Sequence, residues 1–252
     1  MTDQEWWTSP DPQAVCANVR EAATPLRTRW SGYRPARRFT VSDRKWRLID
    51  LGCARRAIPA LAIPQLGDII AALEEHVDAD LDTLGVVARV ATLAEAVRPR
   101  LFHPAWLIHG LSNTLTLTQF LQAWRGGSDL FALTAEACVA AAVAALPPHE
   151  RAAGRERLLA DERARQADLV RDVLGYLFVA DRPDPVWLQM NDGIVRRLAE
   201  TMYHTRTYTD FPVLGDALED AGCTSAAILD HCRGGGDHTR GCWVLDLLLG
   251  KE

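Results

Sequence analysis

Thirteen prolines and 17 glycines cut this 252-residue chain into segments whose apolar residues recur every three or four positions. That is the period of an amphipathic helix, not the two-residue alternation of a half-buried strand. Asp11 followed by Pro12 starts one such segment, running to about Ala23 before Pro25. Ser42 caps another, with Trp46, Ile49, Cys53 and Ala57 on one side and an expected stop before Pro59. Further helices are expected from Pro64 to His76 and from Asp80 to Val97. Pro104 opens "PAWLIHGLSNTLTLTQFLQAW", whose alternating middle suits a strand while its flanks favour a helix. Thr134 is placed as the cap of "TAEACVAAAVAAL". The charged text from Pro148 to Leu174 presents one apolar side, with Leu158, Leu159, Leu169, Val170 and Val173, and ends at Gly175. "DPVWL" reads as a short helix, and Asn191 or Asp192 caps the next, to about Arg206. Three more close the chain: Val213 to Ala221, Thr224 to Arg233, and Thr239 to Leu249.

No strand–helix–strand alternation interrupts this order. The fold class expected is therefore all-α, an irregular multi-helix bundle of about ten helices with a basic irregular arm near the N-terminus. A single domain over residues 1–252 is the reading, with a possible subdivision at 1–60, 61–146 and 147–252. No apolar run reaches the ~18–20 residues that cross a bilayer, and the acidic start "MTDQEWW" is unlike a secretory signal, so no membrane association and a cytoplasmic location are expected. In a reducing compartment Cys16, Cys53 and Cys138, set among alanine, leucine and isoleucine, serve as small buried apolar residues.

The net charge of −5 conceals an asymmetry. Between Arg20 and Arg56 eleven basic residues face only Glu21, Asp43 and Asp50. Arg34, Arg37, Arg38, Arg44, Lys45 and Arg47, interleaved with Trp30, Tyr33, Phe39 and Trp46, are the candidates for gripping a nucleic acid or another anionic partner. Because the whole chain is acidic, the preferred alternative is that this basic segment folds onto the protein's own carboxylates.

The densest chemistry lies in "AGCTSAAILDHCRGGGDHTRGCW", with three cysteines, two histidines and a glycine triplet. Cys223, His231, Cys232, His238 and Cys242 are the candidate metal ligands. Against them stands the absence of a Cys-x2–4-Cys hairpin, which would pre-form half of a tetrahedral site. His231 and Cys232 also project about 100° apart on one helix, and Cys232, His238 and Cys242 together lack a fourth ligand. Gly236 and Gly241 copy the outer spacing of a phosphate loop, but Cys242 and Trp243 replace its lysine and hydroxyl residue. A looser anion nest would use Arg233, His238 and Arg240. A helix-turn-helix around Gly222 and Ile228 offers a polyanion only one arginine. The favoured reading is structural: Gly222 and Gly234 end helices, Thr224 caps one, and Asp237 or Thr239 starts a buried terminal helix, "CWVLDLLLG". Cys223 and Cys242 then fill the core, with His231 and His238 exposed or bonded to loop carbonyls.

The strings "TDQEWWTSPDP", "SDRKWRLIDLGCARR", "NDG", "ALEDAGC" and "RGCWVLDLLLGK" resemble motifs of a large family of hypothetical proteins from planctomycete bacteria, over roughly residues 1–20, 42–56 and 167–252. The resemblance implies kinship with a bacterial family and no particular activity. Where that family tends to carry a Cys-Cys pair after its SDRK helix, this chain has Cys53 followed by Ala54. No catalytic motif and no cofactor signature is legible. The function expected is a non-enzymatic helical protein that binds another protein. Nucleic-acid binding through residues 24–56 and a Cys/His enzyme or zinc centre at 223–242 remain the alternatives.

Overall fold

The computed structural model describes residues 3–23, 41–61, 65–79, 128–175 and 183–251. Among these the protein is all-α, with ten α-helices, one 3-10 turn and no strand. The helices are α1 (Asp3–Thr8), α2 (Pro12–Ala23), α3 (Asp43–Leu61), α4 (Gln65–Ala79), α5 (Ser128–Ala145), α6 (Arg151–Leu174), α7 (Pro185–Thr205), α8 (Phe211–Asp220), α9 (Ala226–Arg233) and α10 (Trp243–Leu249). Residues 24–40, 80–127 and 176–182 lie outside the described part, and with them the expected helix from Asp80, the segment from Pro104, and Arg34, Arg37 and Arg38. No helix among the described residues is long and apolar enough to cross a membrane.

Side-chain caps mark three of the helix starts. Asp11 accepts the Gln13 N–H at 3.0 Å ahead of Pro12, Ser42 accepts that of Lys45 at 3.3 Å, and Asp184 that of Val186 at 2.9 Å ahead of Pro185. Other boundaries depart from the sequence reading. Helix α3 runs through Pro59 to Leu61, because a proline in the last turn removes only one intrahelical bond. Thr134 is no cap but a buried mid-helix residue, whose hydroxyl bonds back to the Phe131 carbonyl and accepts from Gln166 at 2.9 Å. Ser225, not Thr224, precedes α9, and the terminal helix begins only after Cys242. In α7 the left-handed Asn191, Asp192 and Gly193 break the helix where a second start was expected.

The chain forms two compact units. One comprises Met1–Val15 and Trp46–Ala167, the other Cys16–Lys45 and Asp168–Glu252. In the first, Leu48, Ile49, Cys53 and Ala57 of α3, Ile69, Ile70 and Leu73 of α4, and Ala135, Val139 and Leu159 are buried. Two ion pairs are set within it. Arg56 grips buried Glu162 with two hydrogen bonds of 2.8 and 3.0 Å, and Arg55 meets buried Glu74 at 3.0 Å. The second unit packs α7 against α8 and α10, and α8 against α9. Its core holds Val195, Met202, Tyr203, Phe211, Leu214, Ile228, Trp243, Val244, Leu245 and Leu248. The terminal helix is buried almost throughout, as its apolar sequence requires.

Candidate metal centre

Within the second unit, four residues converge that the sequence separates widely. Asp172 comes from the last turn of α6, His231 from α9, His238 from the glycine-rich loop, and Cys242 from the residue capping α10. One ligand-capable atom from each lies within 4.8 Å of all the others. The Asp172 side chain is 5% exposed, His238 6%, His231 16%, and Cys242 is fully buried.

The local folding that achieves this is legible residue by residue. His231 projects about 100° around α9 from its neighbour Cys232, as adjacent helical residues must, so the two face different surroundings. Cys232 is turned into the core, where its Cβ would lie 3.0 Å from a Cβ added to Gly215. His238 lies flat on the ring of buried Phe211, 3.6 Å between centroids and 16° between planes, which fixes the imidazole before any polar contact is made. Gly241 has φ 91°, a conformation open to glycine, and turns the chain so that Cys242 enters the core.

Asp172 is the hub. Its Oδ1 lies 2.8 Å from His238 Nδ1 and 3.3 Å from His231 Nε2, while Oδ2 accepts the Thr239 N–H at 2.8 Å. His231 Nε2 is also 3.1 Å from Cys242 Sγ. The indole N–H of Trp243 donates to His231 Nδ1 at 3.2 Å, which places the proton of a neutral His231 ring on Nε2, facing the carboxylate. Burial by itself would raise the Asp172 pKa, but the hydrogen bonds and charges of His231 and His238 outweigh it and hold the carboxyl at about 2. Burial, reinforced by the Asp172 carboxylate, pushes the Cys242 thiol well above its ordinary range. A buried acid in the last turn of a helix is also opposed by the helix dipole, so Asp172 sits against two local preferences at once.

The geometry suits a tetrahedral ion. Ligand bonds of 2.0–2.3 Å at tetrahedral angles put N and O donors about 3.3 Å apart and N and S donors about 3.6 Å apart. Three of the separations, 2.8 to 3.3 Å between N and O and 3.1 Å between N and S, fall short of those by at most about half an ångström, while the set as a whole spreads to 4.8 Å, so binding an ion would draw its wider pairs together.

Of the five candidates drawn from the sequence, His231, His238 and Cys242 meet here, whereas Cys223 and Cys232 are buried in the apolar core, where burial raises both thiols, Cys232 to about 12. The expectation of exposed or loop-bonded histidines is corrected: both rings face a buried carboxylate. The fourth candidate ligand, absent from the sequence reading, is Asp172. Its signal was an acidic residue on the apolar side of "ADLVRDVLG", beside Leu169, Val170 and Val173.

The basic candidates divide differently. Arg44 bonds Asp246 at 2.7 and 3.1 Å and the Tyr203 hydroxyl at 2.7 Å, and Lys45 meets Asp246 at 2.6 Å. Arg47 is half-buried. Of the residues of the alternative anion nest, Arg233 is paired with Asp216 and Glu219 and His238 with Asp172, while buried Arg240 lies over the Tyr203 ring. Comparison with family models, characterised proteins and solved structures yields no match to this chain.

Proposed function

We propose that the second unit binds one zinc ion through Asp172, His231, His238 and Cys242, and that the ion is structural. The observation that carries this reading is the convergence of four ligand-type atoms within 4.8 Å in a buried setting. Charge supports it as well. A thiolate and a carboxylate cancel a divalent cation, so the loaded centre is neutral and suited to burial, whereas the same anions without an ion repel each other. A mixed nitrogen, oxygen and sulfur set is of zinc type, and four protein ligands leave no open position for a substrate. Such a centre gives rigidity to α6, α9 and α10, in keeping with a binding protein rather than an enzyme.

A second reading rests on Trp243. A histidine that ligates through Nε2 normally carries its proton on Nδ1, and the indole N–H already points there. A metal-free cluster, with Asp172 accepting from both imidazoles, keeps that bond intact; zinc binding requires Trp243 to release it. Cobalt(II) titration separates the two. The zinc reading expects one equivalent bound, with the intense visible bands of tetrahedral cobalt and a thiolate charge-transfer band lost in Cys242→Ala. A spectrum unchanged from aqueous cobalt leaves the hydrogen-bonded cluster in its place.

A further inference from the structure

Lys45 bonds none of the four ligand side chains, yet its ammonium reaches backbone carbonyls adjacent to two of them. Nζ donates to the Val173 carbonyl at 2.8 Å and to the Gly241 carbonyl at 2.8 Å, and meets the Asp246 carboxylate at 2.6 Å. Val173 follows Asp172 and Gly241 precedes Cys242. An ammonium has three hydrogens, and these three acceptors use them all. We infer that Lys45 is a positioning residue of the metal centre, one nitrogen that ties backbone at the end of α6 to backbone in the turn before α10 and so helps set the distance between Asp172 and Cys242.

The physical reasons are specific. Val173 lies in the last turn of α6, where carbonyls lack intrahelical partners, and its oxygen is satisfied by Lys45. Gly241 stands in a positive-φ conformation, and its carbonyl accepts from Lys45. With Lys45 removed, two carbonyls lose a charged donor, and Asp172 and Cys242 keep only the contacts within the cluster to fix their separation. Arg44, next in sequence, shares the Asp246 partner and adds the Tyr203 hydroxyl. The pair therefore separates positioning from general support. It also gives the "SDRK" string a task in common with "RGCWVLDLLLGK": the first places the lysine, the second places Cys242.

The inference rests on the zinc reading, and the test distinguishes the two. Full-length wild type, Lys45→Met and Arg44→Met are loaded with zinc, checked for helix content by circular dichroism, and challenged with a chromogenic chelator. Lys45→Met is expected to bind one equivalent with affinity weakened by about 10–100-fold and correspondingly faster release, as for other groups that orient metal ligands. Arg44→Met lowers the unfolding midpoint but releases zinc near the wild-type rate. Lys45→Gln, which keeps one amide donor for a carbonyl, gives a smaller change in the same direction and serves if the methionine variant does not fold. Wild-type release from folded Lys45→Met, or equal acceleration in Arg44→Met, overturns the positioning role alone. A wild-type protein that takes up no zinc overturns the centre itself.

Discussion

Replacing Asp172 by asparagine preserves shape and removes the charge at the hub of the cluster. In metal-free protein the carboxyl is held at about 2 against a usual 3.8, and at 1.36 kcal/mol per unit that shift corresponds to about 2 kcal/mol of stability. The amide also fails as an acceptor on one side. Whichever way it turns, an NH2 faces either the Thr239 N–H or the imidazoles, at a cost of about 1–3 kcal/mol. Together Asp172→Asn should destabilise the metal-free protein by about 3–5 kcal/mol at pH 7, the range for breaking a buried charged network. The sign of the pH dependence follows from the depressed value. The carboxylate's contribution is complete above the unfolded pKa and is lost as pH falls through the folded one, with about 1 kcal/mol gone by pH 3. Urea unfolding of chelator-treated wild type and variant, at pH 7 and pH 3, reads both effects. A difference below about 1 kcal/mol at pH 7, or a gap that does not narrow at pH 3, refutes the assignment of Asp172 as a buried ionised hub.

Two further outcomes follow from the same geometry. Gly175 has φ 69° and an added Cβ would stand 2.5 Å from Trp243 Cγ, so Gly175→Ala should cost about 2–4 kcal/mol through left-handed strain and displacement of the indole, with altered tryptophan fluorescence. Cys138 and Cys232, both pushed to about 12 chiefly by burial, should resist alkylation at pH 8 in folded protein, with reactivity rising about tenfold per pH unit, while Cys242 in metal-free protein becomes further protected when zinc is added. Peptide mapping after iodoacetamide treatment measures all three.

The helices were legible because their signals are local. Asp11-Pro12, Ser42 and Asp184-Pro185 cap starts within three residues, and Gly175 and Gly222 mark ends. Thr134 was misread because a threonine before an alanine run resembles a cap, whereas its actual partner, Gln166, lies on another helix. The late start of α10 reflects Gly241 and Cys242, whose non-helical backbone turns Cys242 toward the cluster. The centre itself was half legible. Three ligands fall within twelve residues, from His231 to Cys242, and the angular argument against using His231 and Cys232 together was sound, since only His231 faces the cluster. The fourth ligand had no spacing signature, because Asp172 is brought in by the packing of α6. What the sequence did offer was a rule broken twice: Asp172 on the apolar side of one helix and Asp246 inside another. Each marks a polar contact made across the fold, to the histidines in one case and to Arg44 and Lys45 in the other.

Metal content is the most direct test of the zinc centre. Untagged protein purified without added metal should carry about one equivalent of zinc by elemental analysis, and Cys242→Ala below about a tenth of one. Wild-type protein that is folded, and still lacks stoichiometric zinc after incubation with excess ion and desalting, would contradict it.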